Sequence, residues 1–289
     1  MKIKDYNRDL KENVLNMNWE DDFVKKDVLD CLEEWPQCGV IIEGNKKILA
    51  VGVFTGIAKE TSFTLYVDPT NRGKGLGKNL LEVLEKKMIN EGVLSVICDF
   101  KVDEKIEKFI YKNSYRLGFY SNYMVYSGEK LPVNTYEIIH YEDKYYEINS
   151  KIYSEAFYNM RILVGIEEKN NNLSEEKKEK TKEEKLEIKK QRKKTYENKE
   201  NIFLLKDRGK VLGSITLSGN EIDAVAVDVM HQGNGYGKEL VSFGINKILE
   251  RNNDSVTLWA VEGNPAKYLY EKLGFKTLRL HEFVKKSFE

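Results

Sequence analysis

Short apolar runs separated by turn-forming residues occupy the first third of the chain, and the same order returns in its last third. In each copy three β-branched runs come first, which is typical of consecutive strands. A glycine cluster then follows in both copies. The runs are 39–44, 48–56 and 62–69 in the first copy and 202–207, 210–219 and 221–229 in the second.

Amphipathic helices are predicted directly after both glycine clusters, because apolar residues recur there at helical spacing. These residues are Leu81, Leu84 and Met88 in the first copy and Val241, Ile245, Ile248 and Leu249 in the second. A further strand and a second helix complete each copy, at 94–100 and 104–113, then at 255–261 and 266–273. The pattern predicts an α/β (α+β) chain with two domains of one design.

The predicted domain boundary lies in the segment 127–135, where Gly128 and Pro132 interrupt two strand-like runs. We therefore expect domains at 1–131 and 132–289. A chain of 289 residues is long enough for two domains of ordinary size.

Composition narrows the classes of function. The 47 basic and 47 acidic residues give a net charge of zero, which argues against nucleic acid or an anionic membrane as partner. Three cysteines and three scattered histidines lack metal-ligand spacing, so we expect neither metal nor disulfides. The charged N-terminus does not resemble a signal peptide, and the expected compartment is the cytoplasm.

The glycine clusters NRGKGLGK (71–78) and HQGNGYGK (231–238) are the strongest functional signal. A Walker loop would need glycine where Arg72 and Gln232 stand, and the G-x-G-x-G spacing also differs from a dinucleotide fingerprint. What remains is [Gln/Arg]-x-x-Gly-x-Gly between a strand and a helix. Helix N-terminal N–H groups and glycine amides suit a pyrophosphate. The alternative is a purely structural turn, which the recurrence of the motif makes the weaker interpretation.

In this context the loops resemble those of the GNAT acetyltransferases, and the second copy is the better match. The resemblance implies two tandem GNAT-like domains, each a mixed, mostly antiparallel sheet flanked by helices. It also implies acetyl-CoA as co-substrate, held mainly by main-chain N–H groups. The implied binding residues are Val67, Arg72, Gly73, Lys74, Gly75, Leu76, Gly77 and Lys78 in the first copy and Val227, Gln232, Gly233, Asn234, Gly235, Tyr236, Gly237 and Lys238 in the second.

The segment GNPAKYLYEKLGF (263–275) resembles the family's second motif, in which Tyr270 matches the general acid. A phenol with a pKa of about 10 can protonate a thiolate with a pKa of about 8.5. Tyr270 could instead only pack the helix against the sheet. Asn264 matches a residue that contacts the pantetheine arm, and it is equally suited to cap the helix.

The resemblance also implies a base on the strand before the second loop, where Glu221 matches a glutamate base of histone-acetylating members and Asp223 is the second candidate; either would act through water. Both could equally be solvent-facing strand residues. The resemblance further implies an oxyanion donor, a main-chain N–H near Val227, where the strand of the family bulges.

The first copy departs from the pattern. Thr61 stands where Glu221 would be, counted from the loop, and either Tyr111 or Ser114 aligns with Tyr270. We therefore expect the first domain to bind a CoA-type nucleotide but to be a weak or inactive catalyst. A role only in supporting the second domain is the alternative.

The charged segment 174–200 has no counterpart in the first copy. Ser174 is a plausible N-cap, and Leu186, Ile188 and Tyr196 are its only candidate anchors. Both a solvated surface helix and a lid over the acceptor site are consistent with this pattern.

The sequence thus predicts an acetyl-CoA-dependent N-acetyltransferase that acts on a primary amine of a small molecule or peptide, with catalysis in the C-terminal domain. The alternatives are a non-catalytic acyl-CoA-binding or sensing protein and a thiol-sugar acetyltransferase resembling mycothiol synthase. We expect a monomer or homodimer.

Overall fold

The computed structural model describes residues 1–133, 136–166, 182–251 and 253–288. The chain divides into two compact units. The first comprises Met1–Gly118 together with Glu282–Glu289, and the second comprises Phe119–His281. None of the described helices is long and apolar enough to cross a bilayer.

The first unit is a sheet flanked by helices. Its strands follow the order β1-β2-β3-β4-β5-β12, and the pair β4–β5 is parallel, whereas β1 to β4 pair antiparallel. Its elements are β1 (Lys2–Asp5), α1 (Lys11–Leu15), α2 (Asp22–Glu34), β2 (Gly39–Gly44), β3 (Lys47–Phe54), β4 (Glu60–Val67), α3 (Leu76–Asn90), β5 (Ser95–Lys101), α4 (Glu104–Lys112) and the C-terminal part of β12 (Lys276–Ser287).

The second unit repeats this design. Its strand order is β6-β11-β10-β9-β8-β7, with β10–β11 as the parallel pair and antiparallel pairing elsewhere. Its elements are β6 (Arg116–Tyr126, from Phe119 onward), β7 (Glu137–His140), α5 (Tyr146–Leu163), α6 (Lys182–Glu197), β8 (Ile202–Asp207), β9 (Lys210–Ser218), β10 (Glu221–Val227), α7 (Tyr236–Glu250), β11 (Val256–Val261) and α8 (Ala266–Leu273). The predicted fold class is confirmed.

The helices after the glycine clusters pack on the sheets through the residues that the periodicity selected. In α7, Val241, Ile245 and Ile248 are completely buried, while Leu249 packs at the margin of the core. In α3, Leu84 and Met88 are completely buried as well. Burying side chains of this size stabilises a fold by about 1.5–3 kcal/mol each, so both helices are fixed against their sheets.

The compact units are divided at different residues from the predicted domains. Residues Ser121–Tyr126 pair with β11, which places β6 in the second unit. The segment Glu282–Glu289 belongs to the first unit, where the Phe288 N–H donates to the Leu94 carbonyl over 2.8 Å. Strand pairing decides to which unit these segments belong, and the composition of a linker does not reveal which strands pair. The boundary between residues 131 and 132 stays a prediction for the duplicated sequence.

Side chains also attach the C-terminal segment to the first unit. The Lys286 ammonium donates to both carboxylate oxygens of Glu85 at 2.8 Å, and the Tyr115 hydroxyl donates to the same carboxylate over 2.8 Å. Lys286 and Glu85 are 21% and 15% exposed, so water replaces their interaction poorly.

We expect Lys286→Ala to lower the free energy of unfolding of the first unit by about 1–3 kcal/mol, because Glu85 then keeps a desolvated charge without its cation. The matched control is Lys285→Ala. Its bond to Glu60 joins side chains that are 51% and 48% exposed, and its loss should cost under about 1 kcal/mol. Urea denaturation measures both; equal losses would contradict the role given to Lys286.

Candidate active site

Both glycine loops have the same backbone geometry. Gly73 and Gly75 have φ angles of +74° and +80°, and Gly233 and Gly235 have +81° and +88°. These left-handed conformations favour glycine, and an added Cβ at any of the four positions would meet open space. The loops therefore need glycine for conformation and leave room above the backbone.

The helix after each loop begins without a side-chain cap. Gly75 and Gly235 are the N-caps of α3 and α7. Because glycine cannot accept a hydrogen bond through a side chain, no cap satisfies the first-turn N–H groups. These groups and the helix dipole favour an anion at each loop.

Arg72 and Gln232 hold their loops to the preceding strands. The Arg72 Nε donates to the Val67 carbonyl over 3.1 Å, and the Gln232 Nε2 donates to the Val227 carbonyl over 3.2 Å. Arg72 also pairs with Glu20 at 2.8 Å. Both side chains thus position the loop, so an anion at the loop would be bound by the main-chain N–H groups.

The other predicted loop residues lie around the same helix starts. Lys74 and Asn234 donate to loop carbonyls, and the Tyr236 hydroxyl donates to Asp207 over 2.8 Å. Lys78 faces Glu82 at 3.6 Å on the exposed side of α3. The remaining members are the buried Leu76, the helical Gly77 and Gly237, and Lys238 in the first turn of α7.

Tyr270 lies in the last turns of α8, and its ring is 6% exposed. It packs edge-on against Phe275 with ring centroids 6.0 Å apart. Burial raises the pKa of the phenol to about 12. Within the described part of the chain its hydroxyl forms no hydrogen bond. Tyr270 therefore packs the core and also carries a neutral proton donor that no protein group engages.

Asn264 caps the helix that carries Tyr270. Its Oδ1 accepts a hydrogen bond from the Ala266 N–H over 3.0 Å. The capping role is thus confirmed, whereas contact with a pantetheine arm stays a prediction.

The sheet of the second unit opens beside β10. This strand pairs with β11 only at Glu221 and Ile222, although both strands continue further. The first unit opens in the same way, since β4 pairs with β5 only from Glu60 to Ser62. Beyond the last pair, the edge of β10 that faced β11 has main-chain groups available to a ligand.

The bulge in β10 lies at Asp223 and not near Val227, so the expected position was wrong. The register against β9 shifts between Ile222 and Ala224, whereas Val227 pairs regularly with Gly213. A bulge re-aims the extra side chain. Asp223 is exposed, yet partial desolvation raises the pKa of its carboxyl group, and Lys194 opposes this shift. Glu221 is half-buried at the start of the strand.

The first unit has no hydroxyl at the position of Tyr270. The Phe275 N–H donates to the Tyr270 carbonyl over 3.0 Å, and the Tyr115 N–H makes the same capping bond to Ile110 over 3.3 Å. The intervening left-handed residue is Gly274 in one unit and Ser114 in the other. Ile110, which is 4% exposed, therefore takes the place of Tyr270.

Both alignments considered for the first unit are thus wrong. Ser114 corresponds to the helix-ending glycine, and Tyr111 follows the equivalent position by one residue and donates its hydroxyl to Glu282. The match of Thr61 to Glu221 is also wrong. Strand β10 contains one extra residue at its bulge, whereas the β3–β4 pairing has no register shift. The residue of β4 that is equivalent to Glu221 is therefore Ser62.

The charged segment forms a helix over its described part, α6, while its predicted N-cap Ser174 lies outside the described residues. Of its three expected anchors, only Ile188 packs against a core. Leu186 and Tyr196 are 55% and 49% exposed. The attachment that the sequence did not reveal is Arg192, whose guanidinium contacts Asp143 at 2.6 Å. One arginine in a charged run carries no distinguishing signal.

Among the described residues, no group of three or more His, Cys, Asp and Glu side chains could hold a metal ion.

Each unit combines a mixed sheet that opens beside its parallel pair with an uncapped glycine turn at the start of a helix. Comparison with known proteins identifies the class of protein that has this fold. Residues 4–119 match the acetyltransferase (GNAT) family, and residues 205–284 match the FR47-like family. No curated protein matches the chain.

Solved structures share this architecture over nearly the whole chain. A tandem GNAT protein from the clavulanic acid biosynthesis pathway has 11% identity and a TM-score of 0.66, covering 99% of this chain and 98% of that one. A GCN5-related N-acetyltransferase from Sphaerobacter thermophilus has 16% identity and a TM-score of 0.63, covering 91% and 85%. The chain belongs to the GNAT superfamily as a tandem member, and this fold supports acyl-CoA-dependent N-acyl transfer in general.

A third similar structure is a GCN5-related glucosamine N-acetyltransferase region of a fungal multi-domain GH3 β-N-acetylglucosaminidase. It has 13% identity and a TM-score of 0.66, with 99% of this chain and 38% of that chain covered. Identities this low support the common fold and leave the acceptor to be argued from the site.

Proposed function

We propose that the protein transfers the acetyl group of acetyl-CoA to a primary amine of a small molecule or peptide, and that the second unit carries catalysis. The observation that carries this proposal is the contrast between Tyr270 and Ile110 at equivalent helix ends. One unit presents a neutral phenol with an unengaged hydroxyl. The other has a side chain without any proton to give.

Acetyl-CoA binding follows from the loop and the open strand edge. In the second unit the pyrophosphate binds main-chain N–H groups from Gly233 to Lys238 at the start of α7. The pantetheine arm runs along the edge of β10 beyond Ile222, where pairing with β11 has ended. Although no bulge lies there, we keep the oxyanion donor as a main-chain N–H near Val227, because this part of β10 lies beyond its last pair with β11. Losing such a donor typically costs about 3–4 kcal/mol.

The reaction is a direct transfer. The acceptor ammonium loses a proton to Asp223 or Glu221 through water, and the free amine attacks the thioester carbonyl. The tetrahedral intermediate collapses, the C–S bond breaks, and Tyr270 donates its proton to the departing CoA thiolate. The attacking nitrogen releases its extra proton to water as the amide forms, and solvent returns a proton to Tyr270. The products are the N-acetyl amide and CoA. The raised pKa of Asp223 brings this carboxylate closer to the basicity that proton abstraction needs.

The first unit has the loop geometry without the acid. Its glycines, its uncapped α3 and its strand opening repeat those of the second unit. We assign it nucleotide binding without turnover. A wholly non-catalytic acyl-CoA-binding protein is the alternative function, and Ile110 supports it for the first unit alone.

Native mass spectrometry of the chain titrated with acetyl-CoA tests the binding step. We expect two bound nucleotides, or one if only the second loop is competent. An assay of CoA release over a panel of amines then tests transfer. Absence of any complex at hundreds of micromolar acetyl-CoA would refute the family function for this chain. Binding without release of CoA on any amine would establish the non-catalytic alternative.

A further inference from the structure

A half-open pocket lies beside the glycine loop of the first unit. It has a volume of about 380 Å³, with the loop on one side and the hairpin that joins β2 to β3 on the other. Its polar lining comes from Asn45 and Lys47 of the hairpin and from Asn71 and Lys74 of the loop. Pockets for small ligands measure about 300–1,000 Å³, so this pocket has room for part of a nucleotide.

The lining of this pocket is positively charged. The Lys74 ammonium donates to the Thr70 carbonyl over 2.9 Å and to the Asn71 Oδ1 over 3.1 Å, which fixes it at the loop and leaves one N–H for a ligand. Lys47 is exposed and forms no ion pair within the described part of the chain. None of the described residues that line the pocket is acidic. A pocket with charges of this one sign favours an anionic group, and lysine commonly binds phosphate.

Strand register identifies the equivalent place in the second unit. Gly44, which also lines the pocket, pairs with Lys47 at the end of the β2–β3 hairpin, and Asp207 pairs with Lys210 at the end of the β8–β9 hairpin. Asp207 and Lys210 are therefore the counterparts of Gly44 and Lys47. The second unit thus keeps the lysine of the hairpin and has a carboxylate opposite it.

Side chains occupy this place in the second unit. Tyr236, which matches Leu76 in the glycine loop, donates its hydroxyl to Asp207 over 2.8 Å. Its ring also packs edge-on against Tyr136, with ring centroids 5.3 Å apart. In the first unit Leu76 is 4% exposed, and Gly44 has no side chain to fill the space. The pocket is thus open in the first unit, whereas aromatic rings and a carboxylate take the equivalent place in the second.

The pocket and the strand opening of the first unit lie on opposite sides of β4. This strand lies between β3, which the hairpin adjoins, and β5, from which it separates beyond Ser62. A CoA molecule with its pyrophosphate at the loop and its pantetheine arm in the opening leaves its adenosine end for the hairpin side. We propose that the pocket binds the 3′-phosphate of CoA through the ammonium groups of Lys47 and Lys74. The inference rests on the nucleotide binding proposed for the first unit and gives that unit a selectivity which the second does not share.

Isothermal titration calorimetry with CoA and with 3′-dephospho-CoA tests the inference, because the two ligands differ only in this phosphate. We expect two sites for CoA, one of which binds CoA at least about tenfold more tightly than 3′-dephospho-CoA, as for a charged hydrogen bond. Lys47→Ala should abolish this preference, and Lys47→Arg should keep most of it. The matched control is Lys210→Ala, at the equivalent hairpin position of the second unit, which should leave the preference unchanged.

Equal affinity for the two ligands at every site would overturn the inference, as would equal effects of Lys47→Ala and Lys210→Ala or a chain that binds only one CoA. The proposed transfer is tested separately, by CoA release over the panel of amines. A preference for the 3′-phosphate that depends on Lys47 supports the inference even if no amine is acetylated. Turnover without this preference sustains the proposed transfer and overturns the phosphate site.

Discussion

Tyr270→Phe is expected to lower kcat by at least tenfold, and by as much as about 10⁴-fold, because general acid assistance contributes about 10²–10⁴-fold. The affinity for acetyl-CoA should stay within a few-fold, since the loop of α7 is untouched. The ring packing against Phe275 is kept, and the lost hydroxyl forms no hydrogen bond in the described residues. We therefore expect the free energy of unfolding to change by under about 1 kcal/mol.

The measurement is CoA release with a thiol reagent, at saturating acetyl-CoA and an amine that the wild type acetylates. Tyr268→Phe is the matched control, because Tyr268 lies on the same helix and is 70% exposed. Since burial holds the pKa of Tyr270 at about 12, the wild type should show no loss from ionisation of this phenol below about pH 11. Normal turnover of Tyr270→Phe, or an equal loss in Tyr268→Phe, would remove Tyr270 from the mechanism.

The duplicated architecture could be predicted from the sequence, because strands buried in a sheet and helices on it have different apolar periods. The run 39–44 coincides with β2, and the apolar face of α7 is the one that the spacing selected. The part that could not be predicted is the allocation of β6 and β12. Strand β6 is rich in aromatic residues and β12 in charged ones, and the partner of β6 in the sheet is distant in sequence.

The candidate site shows the same division. The glycine spacing alone indicated an anion loop, because left-handed backbone and close approach demand glycine at fixed offsets. The bulge at Asp223 was misplaced because a bulge is a property of two paired strands. Ile110 was missed because the helix end of the first unit is set by Ser114 in the left-handed region, where sequence alignment looks for glycine. Hydrogen bonds at the helix end were needed to find the correct match.

Gly235→Val is expected to have the second large effect. It should weaken the affinity of the second unit for acetyl-CoA by about 100-fold or more, and turnover should be lost as a result. A left-handed conformation costs an L-residue about 1–2 kcal/mol, and a β-branched residue more. Gly235 has a φ of +88°, and an added Cβ would project into open space above the helix start. The side chain would therefore stand where the pyrophosphate binds, in addition to straining the loop.

Gly75→Val is the matched variant in the first unit, since Gly75 has a φ of +80° and the same open surroundings. Both variants carry the same strain and should lose similar free energy of unfolding. Native mass spectrometry should show one nucleotide fewer for each variant if both loops bind. Only Gly235→Val should stop CoA release, because the first unit has Ile110 where the acid belongs. Turnover that survives Gly235→Val and disappears in Gly75→Val would assign catalysis to the first unit. That result would also refute the role of Tyr270 as the general acid.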